Sequence, residues 1–166
     1  MESLENLNDL FVHELRDLYD AEQQLTKALP LLATAATSDQ LRQAFQEHLE
    51  ETKEQARRLE QIFKGLGESA EGKSCKAMAG LVAEARETLD VDADPDVLDA
   101  ALIVAAQKVE HYEIASYGTA RTFAQHLGND KAAQLLQQSL NEEKETDKKL
   151  TELAEGGAHV NQMAQA

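Results

Sequence analysis

The chain has 166 residues, 42% of them hydrophobic, which suits a single domain around one core and excludes a disordered polyampholyte. Lys and Arg number 16 against 31 Asp and Glu, a formal net charge of −15, which disfavours nucleic acid and anionic membrane surfaces as partners and favours cations. Two prolines and eight glycines in a background of Ala, Leu, Glu, Gln and Lys point to long helices, and the scarcity of alternating or β-branched runs excludes a sheet.

The first predicted helix starts at about Leu4 and ends just past Leu32, with Ser3 as N-cap and Glu2 and Glu5 near its positive end. Leu7, Phe11, Leu15, Leu18, Leu25, Leu29 and Leu32 recur at helical spacing. Pro30 removes a backbone donor, so a kink or an end is expected there. The second helix begins after Thr37-Ser38-Asp39, capped by Ser38, and runs to about Gly65, burying Leu41, Phe45, Leu59, Ile62 and Leu66. Gly65 to Lys73, with three glycines, is a loop, and a short helix from about Lys76 to Leu89 follows, turning Met78, Leu81, Val82 and Ala85 inward. Cys75 is the single cysteine, so an intrachain disulfide and a thiolate metal cluster are both excluded, and a plain loop thiol is expected.

Asp94-Pro95 is a strong helix start, with Asp as N-cap and Pro in the first turn. That helix extends to about Leu127, and after Gly128-Asn129 the last one runs from about Asp130 to Glu155, stopping at Gly156-Gly157. The domain is therefore 1–156, with 157–166 as a frayed C-terminal tail. Met-Glu-Ser-Leu-Glu at the start lacks the basic and apolar segments of a leader, and no apolar run approaches the ~20 residues that cross a bilayer. A soluble cytoplasmic protein is expected.

Two helical hairpins joined by a long crossover make an all-α, ferritin-like four-helix bundle whose crossover carries a short extra helix. Within it, acids stand where apolar residues belong. Glu22 lies between Leu18 and Leu25; His48 and Glu51 follow Phe45; Glu110 and Glu113 separate Ala106 from Tyr117; Glu143 and Asp147 lie between Leu136 and Leu150. Positions three or four apart share a helix face, so these residues from four helices converge in the interior. Six carboxylates and an imidazole can surround two metal ions, and ligation by oxygen without thiolate favours iron or manganese, with iron first. Each residue also has a plainer reading. Glu22 can sit at a boundary with its head in water, His48 can be a satisfied core histidine, and Glu51 belongs to the acid-rich run from Glu47 to Glu54. Glu142 competes with Glu143 for the inward position, and Asp147 can pair with Lys144 on the surface.

Four stretches carry a family resemblance: Glu14-Leu-Arg-Asp-Leu-Tyr-Asp-Ala-Glu22, His48-Leu-Glu-Glu-Thr52 with Gln55, Val109-Glu-His-Tyr-Glu-Ile-Ala-Ser-Tyr-Gly118, and Glu142-Glu143 with Asp147 and Leu150. Over nearly its whole length the chain resembles the YciE/YciF family of bacterial stress-associated proteins, a ferritin-like group similar to rubrerythrin. The resemblance implies a homodimer with a di-metal site and a loosely defined activity. The superfamily pattern takes one Glu from each of two helices and Glu-x-x-His from each of the other two. Glu22 and Glu110 match the single glutamates, Glu51 and Glu143 the bridging ones, and Glu113 an extra rubrerythrin-like glutamate. The order His48-x-x-Glu51 is reversed, and Thr146 stands where the last histidine belongs, with Asp147 as its substitute. His111 falls off the inward stripe.

The expected function is handling of a small oxidant, peroxide or dioxygen, at two metal ions, with Tyr19, Tyr112 and Tyr117 available as hydrogen-bond donors or core packing. A metal-independent helical interaction or structural protein is the alternative. Metal storage in a shell is a third reading that nothing in the sequence specifies.

Overall fold

The computed structural model describes residues 4–156 and 160–165. Six helices follow in order: α1 (Leu7–Ala35), α2 (Asp39–Leu66), α3 (Lys76–Leu89), α4 (Pro95–His126), α5 (Asp130–Glu155) and α6 (Val160–Met163), with no strand among the described residues. None of these helices is long and apolar enough to cross a membrane.

Local chemistry sets most of the boundaries. Ser38, Asp94 and Asn129 accept the first free amides of α2, α4 and α5 through their side chains. Gly67, at φ 70°, closes α2 in the left-handed conformation, which places Glu68 N–H on the Phe63 carbonyl at 3.1 Å. The start of α1 differs from expectation. Asn6 caps it, accepting from Asp9 N–H at 3.0 Å, while Leu4 stays exposed outside the helix; the expected Ser3 cap lies outside the described residues. Nor does α1 end at Pro30, since it continues to Ala35. Pro30 lies on the exposed side, where water can reach the Thr26 carbonyl that its ring leaves without a donor.

The helices α1 and α2 form one hairpin and α4 and α5 the other; α1 packs on α4 and α2 on α5, while α3 lies across α1 and α4. Apolar residues fill two separate clusters. One gathers Leu25, Leu29, Phe45, Met78, Ile103 and Leu150, the other Phe11, Leu15, Leu18, Leu59, Leu136 and Leu140. Each of the four long helices therefore contributes apolar residues to both clusters and switches to polar side chains between them. That polar layer positions the site.

Three features of the fold depart from the sequence reading or escaped it. The segment expected to fray includes α6, whose Val160 is buried in the first cluster; an apolar side chain beside open helix ends has somewhere to go. Cys75 is no loose thiol. It is buried, its Sγ accepts from Met78 N–H at 3.3 Å to cap α3, and it lies 3.0 Å from the Tyr112 hydroxyl; burial pushes the thiol's pKa up. Asp99, on α4 and 2% exposed, accepts Thr37 N–H and Ser38 N–H, both at 2.7 Å, so it ties the α1–α2 turn to the second hairpin. Replacing it takes a charged acceptor from two part-buried amides. Asp99→Ala is expected to cost about 2–3 kcal/mol, a fall in Tm of roughly 5–10 °C; an unchanged thermal melt would contradict this account of the turn.

Candidate metal centre

Counting back along α2 from Leu59, the inward positions fall at Gln55, Thr52, His48 and Phe45, all buried. The same stripe on α4 carries Glu110 and Glu113, on α1 Glu22, and on α5 Glu143. Glu22, Glu110, Glu113 and Glu143 are 0% exposed and His48 2%. One ligand atom each from His48, Glu110, Glu113 and Glu143 lies within 4.8 Å of the others. His48 Nδ1 is 3.3 Å from Glu110 Oε1 and Nε2 is 3.8 Å from Glu143 Oε2. Glu22 adjoins this group. Tyr117 donates its hydroxyl proton to Glu22 Oε1, and the Glu22 carboxyl lies against that of Glu113, near enough to share a proton when one is neutral.

Of the seven residues expected from the sequence, five are thus brought together. Glu51 and Asp147 are not. Glu51 is half-buried at the rim, its Oε2 accepting from Thr146 Oγ1 at 3.1 Å. Asp147 accepts from Gln107 Nε2 at 3.3 Å and lies 3.5 Å from the exposed His111. Thr146, not Asp147, occupies the inward position on α5. Thr52 and Gln55 are the residues that sequence reasoning passed over. Gln55 Nε2 donates to Glu143 Oε1 and, at 3.1 Å, to Glu142 Oε2. Arg58 clamps Glu142 with two bonds of 2.6 and 2.7 Å, which settles the competition between neighbours: Glu142 pairs outward and Glu143 points into the cage. Of the tyrosines, Tyr117 reaches the site, while Tyr19 donates to Glu60 at 2.9 Å and Tyr112 to Asp17.

The electrostatics are those of acids held away from water. Burial raises the pKa values of Glu22, Glu110 and Glu113 well above the ordinary carboxylate range, and the nearby charge of Glu143 adds to each. Burial raises Glu143 to about 7, against the pull of the Gln55 amide and of the adjoining Glu110 carboxyl. Burial draws His48 down to about 4, so its imidazole is neutral at pH 7 and has a lone pair to give. Oε2 of Glu22, both oxygens of Glu110 and Glu113, Oε2 of Glu143, His48 Nε2, Gln55 Oε1 and Thr52 Oγ1 are buried without a hydrogen-bond partner. Buried polar atoms are nearly always satisfied. A converging set of oxygens and one imidazole nitrogen, with no thiolate, fits a hard or borderline divalent cation.

A family profile described as Domain of unknown function (DUF892) matches residues 6–165. The chain is 50% identical to Protein YciF of Escherichia coli (strain K12) over 153 residues, 92% of each chain. Its fold is similar to the crystal structure of the E. coli stress protein YciF, at 51% identity and a TM-score of 0.88, covering 91% of this chain and 96% of that one. It is also similar to YcfI from Rhodopseudomonas palustris, presented as a candidate structural protein, at 49% identity and a TM-score of 0.87, covering 90% and 95%. A protein from Xanthomonas campestris, at 21% identity and a TM-score of 0.71 over 88% of each chain, shares the fold alone.

Proposed function

Because the chain belongs to the DUF892 family of YciF-like stress proteins, we propose that its polar layer is a di-metal carboxylate centre that handles a small oxidant, peroxide or dioxygen. Iron is the first choice of metal and manganese the second, and the working unit is a homodimer. The observation that carries this reading is the set of fully buried carboxylate oxygens that have no donor. Ionised, Glu22, Glu110, Glu113 and Glu143 bring four negative charges into the interior. Burying even one costs several kcal/mol unless it is balanced, and two divalent ions balance all four.

His48, Glu110, Glu113 and Glu143 would hold one ion, and Glu22, beside Glu113, would help to hold the second. Gln55 Oε1 and Thr52 Oγ1 offer neutral oxygens on the α2 side, where the superfamily pattern has Glu-x-x-His. Bound there, a redox-active pair supplies Lewis acidity and electrons for oxidant chemistry. The chain's own part is orientation and proton handling. Tyr117 fixes one oxygen of Glu22 by hydrogen bonding. Gln55 fixes one oxygen of Glu143 and is itself steadied by Glu142, which Arg58 clamps. The two apolar clusters above and below exclude bulk water.

Metal analysis of purified protein tests the centre. Wild type is expected to hold near-stoichiometric iron or manganese, and the Glu110→Gln, Glu113→Gln double variant at least tenfold less. Equal metal in the two removes the reading and leaves a metal-independent helical scaffold. Peroxide consumption by the iron-loaded protein tests the oxidant half separately, since a loaded but inert protein would keep the metal site and lose the activity.

A further inference from the structure

With the cage carboxylates 0% exposed, an ion reaches them only past other side chains. A partly enclosed cavity of about 10 Å³ between α2 and α5 lies against the cage and opens towards the surface, lined by Ala44, Glu47, His48, Glu51, Thr146 and Lys149 among others. Its size is close to the roughly 10–15 Å³ that a single water needs. Inward it meets His48, whose Nε2 is buried and unpartnered. Outward it shares Ala44, Glu47 and Lys149 with an open surface groove, and Glu47 and Glu51 with a second groove along α2. Ala44 and Thr146 are the small side chains of a lining that also includes the buried Phe45 and Leu150. Two carboxylates and one ammonium stand at the mouth, the Lys149 Nζ lying 3.7 Å from Glu47 Oε2.

We propose that this passage is the way in for the metal ion, with Glu47 and Glu51 as its capture site and the Lys149 side chain as its movable gate. The assignment rests on the metal-centre reading and gives a role to Glu51, which lies outside the group of ligand atoms within 4.8 Å of one another. The arriving ion exchanges hydration water for carboxylate oxygens at the mouth, where the acids concentrate cations. Lys149 opposes the next step by its charge and by its bulk. Its pair with Glu47 has both side chains more than 40% exposed, and such pairs are weakly held, so the long flexible stem swings out readily. His48, the cage group that lines the cavity, would then offer the ion its unpartnered ring nitrogen.

Uptake of Mn²⁺ by metal-free protein, followed by stopped flow with a metal-sensitive dye, tests the passage. The Glu47→Gln, Glu51→Gln double variant is expected to load about tenfold more slowly. Lys149→Gln is expected to load several-fold faster with an unchanged thermal melt, which separates removal of the gate from a loosened bundle. Ala44→Phe fills the seam without changing charge and is expected to slow uptake. The Mn content of the Lys149 and Ala44 variants at equilibrium should equal that of wild type. Rates unchanged across all three variants overturn the passage alone. Loss of bound Mn at equilibrium in a Glu51→Gln single variant makes Glu51 a ligand and also overturns it. A wild type that takes up no Mn²⁺ overturns the centre, and the passage with it.

Discussion

The metal-free Glu143→Gln variant is expected to be more stable than metal-free wild type at pH 8 and no more stable at pH 4.5. Burial raises the Glu143 pKa from 4.5 to about 7 in the folded protein, and each tenfold change in proton affinity is worth about 1.4 kcal/mol, so ionising it there costs about 3 kcal/mol. The sign follows from the direction. A carboxyl whose folded pKa is raised contributes stability that is fully present below 4.5 and lost as the pH climbs to about 7. Glutamine carries no charge to lose, and its Oε1 can still accept from Gln55. The gap should therefore open between those two pH values and plateau above them, worth roughly 6–12 °C in Tm for a chain of this size. His48 acts in the opposite direction in both proteins. Its pKa falls from 6.5 to about 4 on folding, so its contribution is complete above 6.5 and fades as the pH falls through 4. Comparing variant with wild type at each pH cancels that common part. Saturating Mn²⁺ should reverse the order, because the ion binds more tightly to, and so stabilises more, the protein that retains the carboxylate. Equal melts at pH 8, or a gap that persists unchanged at pH 4.5, would mean that Glu143 does not sit charged in a dry interior.

The bundle was legible because caps and breakers are local. Ser38, Asp94-Pro95 and Gly128-Asn129 fix the boundaries of three helices by chemistry within a turn, and all three lie where the periodic reading places them. Asn6 displaced the expected first cap because either short polar side chain can accept the same kind of amide, and only packing decides where the helix becomes worth forming. The site was partly legible for a similar reason. Glu22, Glu110 and Glu113 stand alone on otherwise apolar stripes, so no neighbour competes for the inward position. On α2 the choice between Glu51 and Thr52 is one of three or four residues from His48. Counting from His48 alone leaves it open, whereas counting back from Leu59 selects Thr52 and Gln55, because only that phase keeps every inward residue on one side. Chemical expectation favoured the carboxylate over the threonine, and the helix phase favours the threonine. The same preference picked Asp147 over Thr146 on α5. Asp99 and Cys75 were beyond a sequence reading altogether. Their partners, the amides of Thr37 and Ser38 and the hydroxyl of Tyr112, belong to other elements, and only the assembled bundle brings them together.

Loading Mn²⁺ onto the metal-free protein at pH 6 is expected to release at least one proton per ion. Its apparent affinity should rise at least tenfold per pH unit between about pH 5 and 7. Metal ligation needs ionised carboxylates. In the metal-free cage burial raises Glu143 to about 7, so at pH 6 it is largely protonated, and burial pushes Glu22, Glu110 and Glu113 in the same direction, well above their ordinary range. An incoming ion must displace those protons, and the work of doing so falls as the pH rises. Exposed carboxylates, which ionise near 4.3, would have no protons left to surrender at pH 6, so adventitious binding to the acidic surface gives a different answer. Calorimetric titration in two buffers of equal pH and different ionisation enthalpy counts the protons directly. A count of zero with pH-independent affinity would place the ion on the surface acids, outside the four helices. A count of one or more that drops in Glu143→Gln would place it against Glu143.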